Sequence, residues 1–219
     1  MRFEVSRARL AQRLIAEKVM EEDRLPPRVE LVGGVDLSYV GDAAVAAAIV
    51  INAHTFKPVS KATVVLDVKF PYIPTLLAFR EAGPMIVAVR RLSVRPHVLF
   101  VDGNGRLHPY RAGLACHVGL ALDMPTVGVA KKLLCGELGE WRGREAPVLL
   151  GGEVIGMALR AGRGMRPIYV SVGHKITLRT AVRLTKRFTR GRSKLPEPLR
   201  LAHAEATALA RKLRSGSSL

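Results

Sequence analysis

PHVLFVDGNGRLHPYRAGLACHVGLALDMPTVGVAKK, residues 96–132, carries the pattern that decides the fold. PHVLFVDG (96–103) is apolar without alternation, the mark of a strand buried on both faces. AGLACHVGLALD (112–123) has the length of a compact helix, and PTVGVAKK (125–132) is a second short apolar strand. Strand, helix, strand in that order predicts a parallel βαβ unit. Asp102 ends the first strand, and His108 follows a Gly-rich turn just beyond it.

Upstream, LVGGVDLSYV (31–40), AAVAAAIVIN (43–52) and KATVVLDVKF (61–70) read as three adjoining strands, the first two turning at Gly41-Asp42. Short links between β-branched runs predict an antiparallel meander. Leu10, Leu14, Ile15 and Val19 recur at helical spacing over 6–22, with Ser6 as the expected cap and Pro26-Pro27 closing the segment. Residues 74–92 read as short helical pieces interrupted at Gly83-Pro84. Downstream of a less regular stretch, VLLGGEVIGMALR holds two strands turning near Gly151-Gly152, and PIYVSVGH (167–174) a third. Thr177 is the expected cap of a helix running to Phe188. TRGRSKLPEP is a basic connector to a last helix at about 197–213, with Glu197 in its first turn and Lys212 and Arg214 at its end, as the helix dipole favours. The expectation is one mixed α/β domain over 1–219 with a sheet at its centre.

Thirty-five Lys and Arg face 18 Asp and Glu, a net charge of +17, which points to a polyanion partner, foremost nucleic acid. A hydrophobic fraction of 48% excludes a disordered tail. Two cysteines, Cys116 and Cys135, give no disulfide framework, and the lack of a CxxC pair gives no thiolate zinc site. The N-terminal MRFEVSRARLAQRL has no apolar core of a leader, and no apolar run is long enough to span a bilayer. A cytoplasmic monomer without a membrane partner is expected.

In so basic a chain the acids in apolar surroundings stand out: Asp36 in VGGVDLSYV, Asp67 in VVLDVKF and Asp102 in VLFVDG. A lone strand Asp ordinarily faces solvent or caps a turn. Two carboxylates brought together repel, and a divalent cation between them removes the conflict. Mg²⁺ takes a few carboxylates plus water and phosphate oxygens, and a basic surface delivers the phosphate. That combination supports metal-assisted phosphodiester hydrolysis. Glu81 in FREAG reads as a further acid or an ordinary surface residue. His108 is placed to orient a water or touch a phosphate, or else to serve the turn. Lys131, at a parallel strand's carboxyl end, reaches the same crevice or is simply solvated. Tyr72, between two prolines in FPYIP, makes a stiff aromatic projection able to press between bases, or packs in an ordinary loop.

GGVDLSY, FPYIPTLLAFRE, VLFVDGNGRLHPYRAGLACHVG, PTVGVAKK and VSVGHKITL resemble, in order and spacing, the endonuclease V family of DNA repair nucleases, over about residues 5–190. The resemblance implies a ribonuclease H-like fold with a mixed five-stranded central sheet flanked by helices. It implies a Mg²⁺- or Mn²⁺-dependent endonuclease that recognises deoxyinosine in DNA and cuts the second phosphodiester bond 3′ to it, leaving a 3′-hydroxyl and a 5′-phosphate. Some relatives favour inosine in RNA, so RNA stands as a second partner. Carried across, Asp36, Glu81 and Asp102 are the acidic catalytic and metal-binding positions, with His108 and Lys131 as additional active-site positions. Tyr72, Ile73 and Pro74 match the strand-separating wedge. Gly103, Gly105 and Gly113 match the edge of the lesion pocket, and Tyr110, Arg111 and His174 fall at pocket or phosphate-contact positions. Two departures stand out: Tyr110 follows His-Pro where the family commonly has Arg, and Thr75 follows the wedge proline where it often has Gly. The rival readings are a structure-selective or RNA-directed nuclease of the same fold, and a non-catalytic nucleic-acid-binding protein. The three acids speak against the latter, because bare carboxylates beside a phosphate weaken binding.

Overall fold

The computed structural model describes residues 4–162, 164–191 and 193–216; the outer ends of the expected 1–219 domain, Arg163, and Arg192 of the basic connector lie outside the described residues. β1 (Leu31–Val40) and β2 (Ala43–Asn52) form the expected hairpin, Val40 pairing with Ala43 across Gly41-Asp42. Gly41 has φ 56°, a left-handed conformation glycine enters without strain. β3 (Pro58–Asp67) adds antiparallel to β2 at the sheet's edge, beginning earlier than the run from residue 61 suggests.

β4 (Val98–Asp102), α3 (Leu114–Leu122) and β5 (Thr126–Ala130) make the βαβ unit, with β4 parallel to both β1 and β5. β6 (Glu137–Leu138), β7 (Glu145–Leu150), β8 (Glu153–Leu159) and β9 (Ile168–His174) follow, β7 and β8 turning at Gly151-Gly152. The strand order is β3-β2-β1-β4-β5-β9-β8-β7-β6. The sheet is mixed and flanked by helices, as expected of a ribonuclease H-like fold. It is nine strands wide rather than five, because β9 pairs antiparallel with β5 and carries the ladder onward.

Both faces of the central strands are buried, which explains the unalternating β4. Val98 and Phe100 join a core with Val32, Val127, Phe188 and Leu199. Leu99 and Val101 join the opposite core with Val35, Met85 and Val118. The first core is roofed by α4 (Leu178–Phe188) and α5 (Glu197–Arg214), the second by α2 (Leu77–Arg90) and α3. Thr177 caps α4 as expected, its hydroxyl accepting from the Thr180 N–H at 3.2 Å.

Two helical expectations are corrected. α1 spans Val5–Lys18 with Glu4 at its N-cap and no side-chain cap, so Ser6 lies inside the helix. α2 runs unbroken through Gly83-Pro84. Pro84 removes one helical N–H donor. Burial of Pro84, Met85, Ala88 and Val89 against the sheet sustains the helix across that local defect, tertiary packing overriding propensity.

α5 lies on β1 at a glycine. A Cβ on Gly34 would sit 2.3 Å from the Pro198 carbonyl carbon and 2.5 Å from the Leu199 nitrogen. Only a residue without a side chain lets the helix backbone come so close. Gly34→Ala is therefore expected to force α5 outward and to lower the unfolding free energy by about 1–3 kcal/mol, read by urea titration. A variant as stable as its parent would show that α5 does not seat there.

Candidate active site

The strand register assembles the acids. Val35 lies opposite Val101 on the parallel pair β1–β4, so Asp36, in the middle of β1, and Asp102, the last residue of β4, follow as neighbours. Alternation puts both on the face of Val32, Val98 and Phe100, beneath α5. Asp36 is buried, and its Oδ1 accepts from the Leu37 N–H at 2.7 Å. Lys131, one residue past β5, forms an ion pair with the Asp102 carboxylate.

α5 supplies a candidate ligand that the sequence reading did not include. The His203 Nδ1 lies 2.6 Å from the Asp36 Oδ2. One ligand atom each from Asp36, Asp102 and His203 lies within 4.8 Å of the others. Two carboxylates and an imidazole suit an oxygen-preferring divalent cation that also accepts nitrogen. The signal in the sequence was the spacing of LAHAEATALA: Leu199, Ala202, Ala206 and Ala210 are the buried stripe of α5, and His203 rides along it. Nothing in the sequence said that this stripe would lie on β1.

Glu81 comes from the opposite side, on α2, and is buried. It is outside the three-residue cluster, yet close enough that Asp36 and Asp102 disfavour its ionisation. Its Oε1 accepts from the Tyr39 hydroxyl at 3.2 Å, and the Tyr39 oxygen accepts from Arg80 Nε at 3.1 Å. Burial pushes the Glu81 carboxyl up to about 7. Burial, then repulsion from Asp102, pushes Asp36 up to about 6.

The remaining expected residues divide. Tyr72 is 72% exposed. Tyr72, Pro74, Thr75, Gly103, Asn104, His108 and Gly113 are among the residues lining a cavity of about 160 Å³. Ile73 stands at the base of the turn, its carbonyl accepting from the Leu76 N–H at 2.9 Å. His108 does not join the acids. It is buried, its Nδ1 accepts from the Tyr110 N–H at 3.2 Å, and its Nε2–H donates to the Thr75 carbonyl at 3.1 Å. Burial lowers its pKa to about 4, so it is a neutral hydrogen-bonding group rather than a phosphate-binding cation.

Three other expected contact residues have partners within the chain. Gly105 faces the sheet: a Cβ there would lie 2.0 Å from the Val172 carbonyl oxygen. Arg111 turns back to Glu153 at 2.7 Å and to the Leu150 carbonyl at 3.3 Å. His174 pairs with Thr126 at the start of β5, the end opposite Lys131, and its Nδ1 accepts from the Met20 N–H at 3.2 Å. Tyr110 lies under the Arg9 guanidinium, 4.4 Å from ring centre to carbon.

The raised carboxyl pKa values have a sign that can be measured. Folded Asp36 and Glu81 hold protons that the unfolded chain releases from ordinary carboxyls near 3.8 and 4.5. Their contribution to stability is full below about pH 4 and is lost as pH rises through about 6 and 7. The buried histidines act with the opposite sign, so the contribution is read as a difference. In chelator, urea titrations from pH 5 to 8 are expected to show a flatter decline for Glu81→Gln than for the parent. Parallel curves would remove Glu81 from the balance.

The sequence profile of the family described as Endonuclease V matches residues 13–204. Endonuclease V of Thermofilum pendens is 54% identical over 209 residues, covering 95% of this chain and 90% of that protein. The crystal structure of Endonuclease V from Streptomyces avermitilis superposes with a TM-score of 0.88 at 36% identity, covering 99% of this chain and 96% of that one. Ciona intestinalis Endonuclease V, solved in complex with a 24mer DNA containing an inosine followed by a ribo-adenosine, superposes with a TM-score of 0.85 at 27% identity, covering 95% and 98%. A profile match across most of the sequence, a relative at more than half identity and the superposition of the whole fold converge on one assignment: the chain belongs to the Endonuclease V family.

Proposed function

We propose that this nuclease hydrolyses the second phosphodiester bond 3′ to deoxyinosine with Mg²⁺ or Mn²⁺ held by Asp36, Asp102 and His203. Family membership makes the chain a DNA repair endonuclease directed at deoxyinosine. The observation that carries the metal-dependent reading is the meeting of Asp36, Asp102 and His203 within 4.8 Å, beneath a net charge of +17. A bound divalent cation would polarise the scissile phosphate and make water a stronger nucleophile.

The chain's own groups do the rest. Lys131 offsets the charge of the acid pair through Asp102 and presents its ammonium toward an incoming phosphate. Glu81, buried beside the acid pair, stands where it would orient the attacking water or take its proton. Tyr39 fixes the orientation of that carboxyl. Tyr72, with Ile73 and Pro74, enters the duplex beside the lesion, and the cavity lined by Thr75, Gly103 and Gly113 receives the rotated base. A mispaired deaminated base opens more readily than a matched one, which contributes to selectivity.

The test is the cut position on a strand bearing one deoxyinosine, with Mg²⁺, with Mn²⁺ and with EDTA. A single nick at the second 3′ bond is expected, absent in EDTA. Asp102→Asn is expected to lose cutting by about a hundredfold or more while retaining DNA binding. His203→Ala should lose about ten- to hundredfold and need more cation. Equal cutting in EDTA, or full turnover by Asp102→Asn, would refute the metal-dependent reading. The ribo-adenosine in the Ciona complex motivates a matched inosine RNA strand as the second substrate. Faster cutting of that RNA would move the substrate class.

A further inference from the structure

α1 carries a buried amide that the catalytic reading does not use. Only Ala8 and Gln12 of α1 are buried, and Gln12 is 0% exposed. An uncharged polar side chain so enclosed is retained when its hydrogen bonds matter. The Gln12 Nε2 donates to the Thr75 carbonyl at 2.6 Å, and its Oε1 accepts from Arg9 Nη1 at 2.9 Å. His108 donates to the same Thr75 carbonyl from the other element, the Gly-rich turn. Thr75 has φ 66°. A β-branched residue in that left-handed region is strained, and such strain persists only where the surroundings over-determine it.

We propose that Gln12 is a positioning residue for the wedge: with His108 it clamps the Thr75 carbonyl and so holds the Tyr72–Thr75 loop in its strained, base-opening shape. The proposal rests on the reading of Tyr72, Ile73 and Pro74 as a strand-separating wedge. If the clamp is released, Thr75 relaxes toward negative φ. Its peptide plane turns, and Pro74 and Tyr72, the neighbouring walls of the cavity, turn with it. The acids, which stand on β1 and β4 in the middle of the sheet, are untouched by that movement. Gln12 therefore acts on the opening of a duplex and not on hydrolysis.

Gln12→Met keeps the buried volume and removes the donor. Two readouts follow. Without any substrate, deuterium exchange at the Leu76 amide, which donates to the Ile73 carbonyl at 2.9 Å in the same turn, is expected to quicken about tenfold, while β4 amides exchange as in the parent. With substrate, cutting of duplex inosine DNA is expected to fall about tenfold relative to cutting of the same strand unpaired, which needs no opening. Adding Thr75→Gly, which allows positive φ without strain, is expected to recover most of both changes. Unaltered Leu76 exchange, an equal loss on paired and unpaired strands, or an undiminished effect of Gln12→Met in the Thr75→Gly background would each overturn the proposal. If the parent protein cuts no inosine strand at all, the wedge reading fails, and the exchange measurement still decides whether Gln12 holds the loop.

Discussion

Two carboxylates held side by side on adjacent parallel strands repel one another, and the arrangement around them answers that repulsion. Asp36 and Asp102 are fixed side by side by the β1–β4 register, which the surrounding core does not allow to slip. Lys131 arrives on the next strand to meet Asp102, and His203 arrives on α5 to meet Asp36. The conflict is only partly relieved, as the raised Asp36 pKa records. A pair of acids whose repulsion is only partly relieved by its neighbours attracts a cation. α5 lies so near the sheet because Gly34 carries no side chain. Gly34 and Asp36 sit on the same face of β1, so the contact that seats the helix on Gly34 sets the reach of His203 to Asp36.

Much of this was readable from the sequence, and what was not has a physical reason. The βαβ unit, the hairpin at Gly41-Asp42 and the Thr177 cap follow from local chemistry, and each stands where the sequence put it. Asp36 and Asp102 were legible because an acid inside an apolar strand is conspicuous. His203 was not, since its role depends on where a distant helix lands. Spacing leaves His108 either to orient a water or to serve the turn, and burial makes it a neutral group bonded to the Thr75 carbonyl. The glycines of the 103–105 turn divide for the same reason: Gly105 serves a close approach to β9 that only the folded chain reveals.

The two sites where the sequence departs from the pattern it resembles prove to be neighbours of one element. Thr75 receives the Gln12 amide, Tyr110 receives the Arg9 guanidinium, and Arg9 and Gln12 are joined to each other one helical turn apart. Thr75, held at φ 66°, thus has a support on α1. The hydrolytic groups stand on sheet strands and on a helix seated against them, whereas the recognition loop depends on a peripheral helix.

A nine-stranded open sheet leaves an edge at each end, and an unpaired edge is a template for joining another chain. The β6 end is only two residues long. The β3 end is ten residues long, with Val59 and Val65 exposed on it, and begins with a proline. Lys61 on that strand is engaged by Glu205 of α5 at 2.8 Å. The remaining safeguard is collective: at +17, two copies approaching edge to edge repel before their backbones can align. The same basic charge that gathers a polyanion therefore also acts as a colloidal stabiliser, and saturation of that charge by a long polyanion would leave the β3 edge less defended.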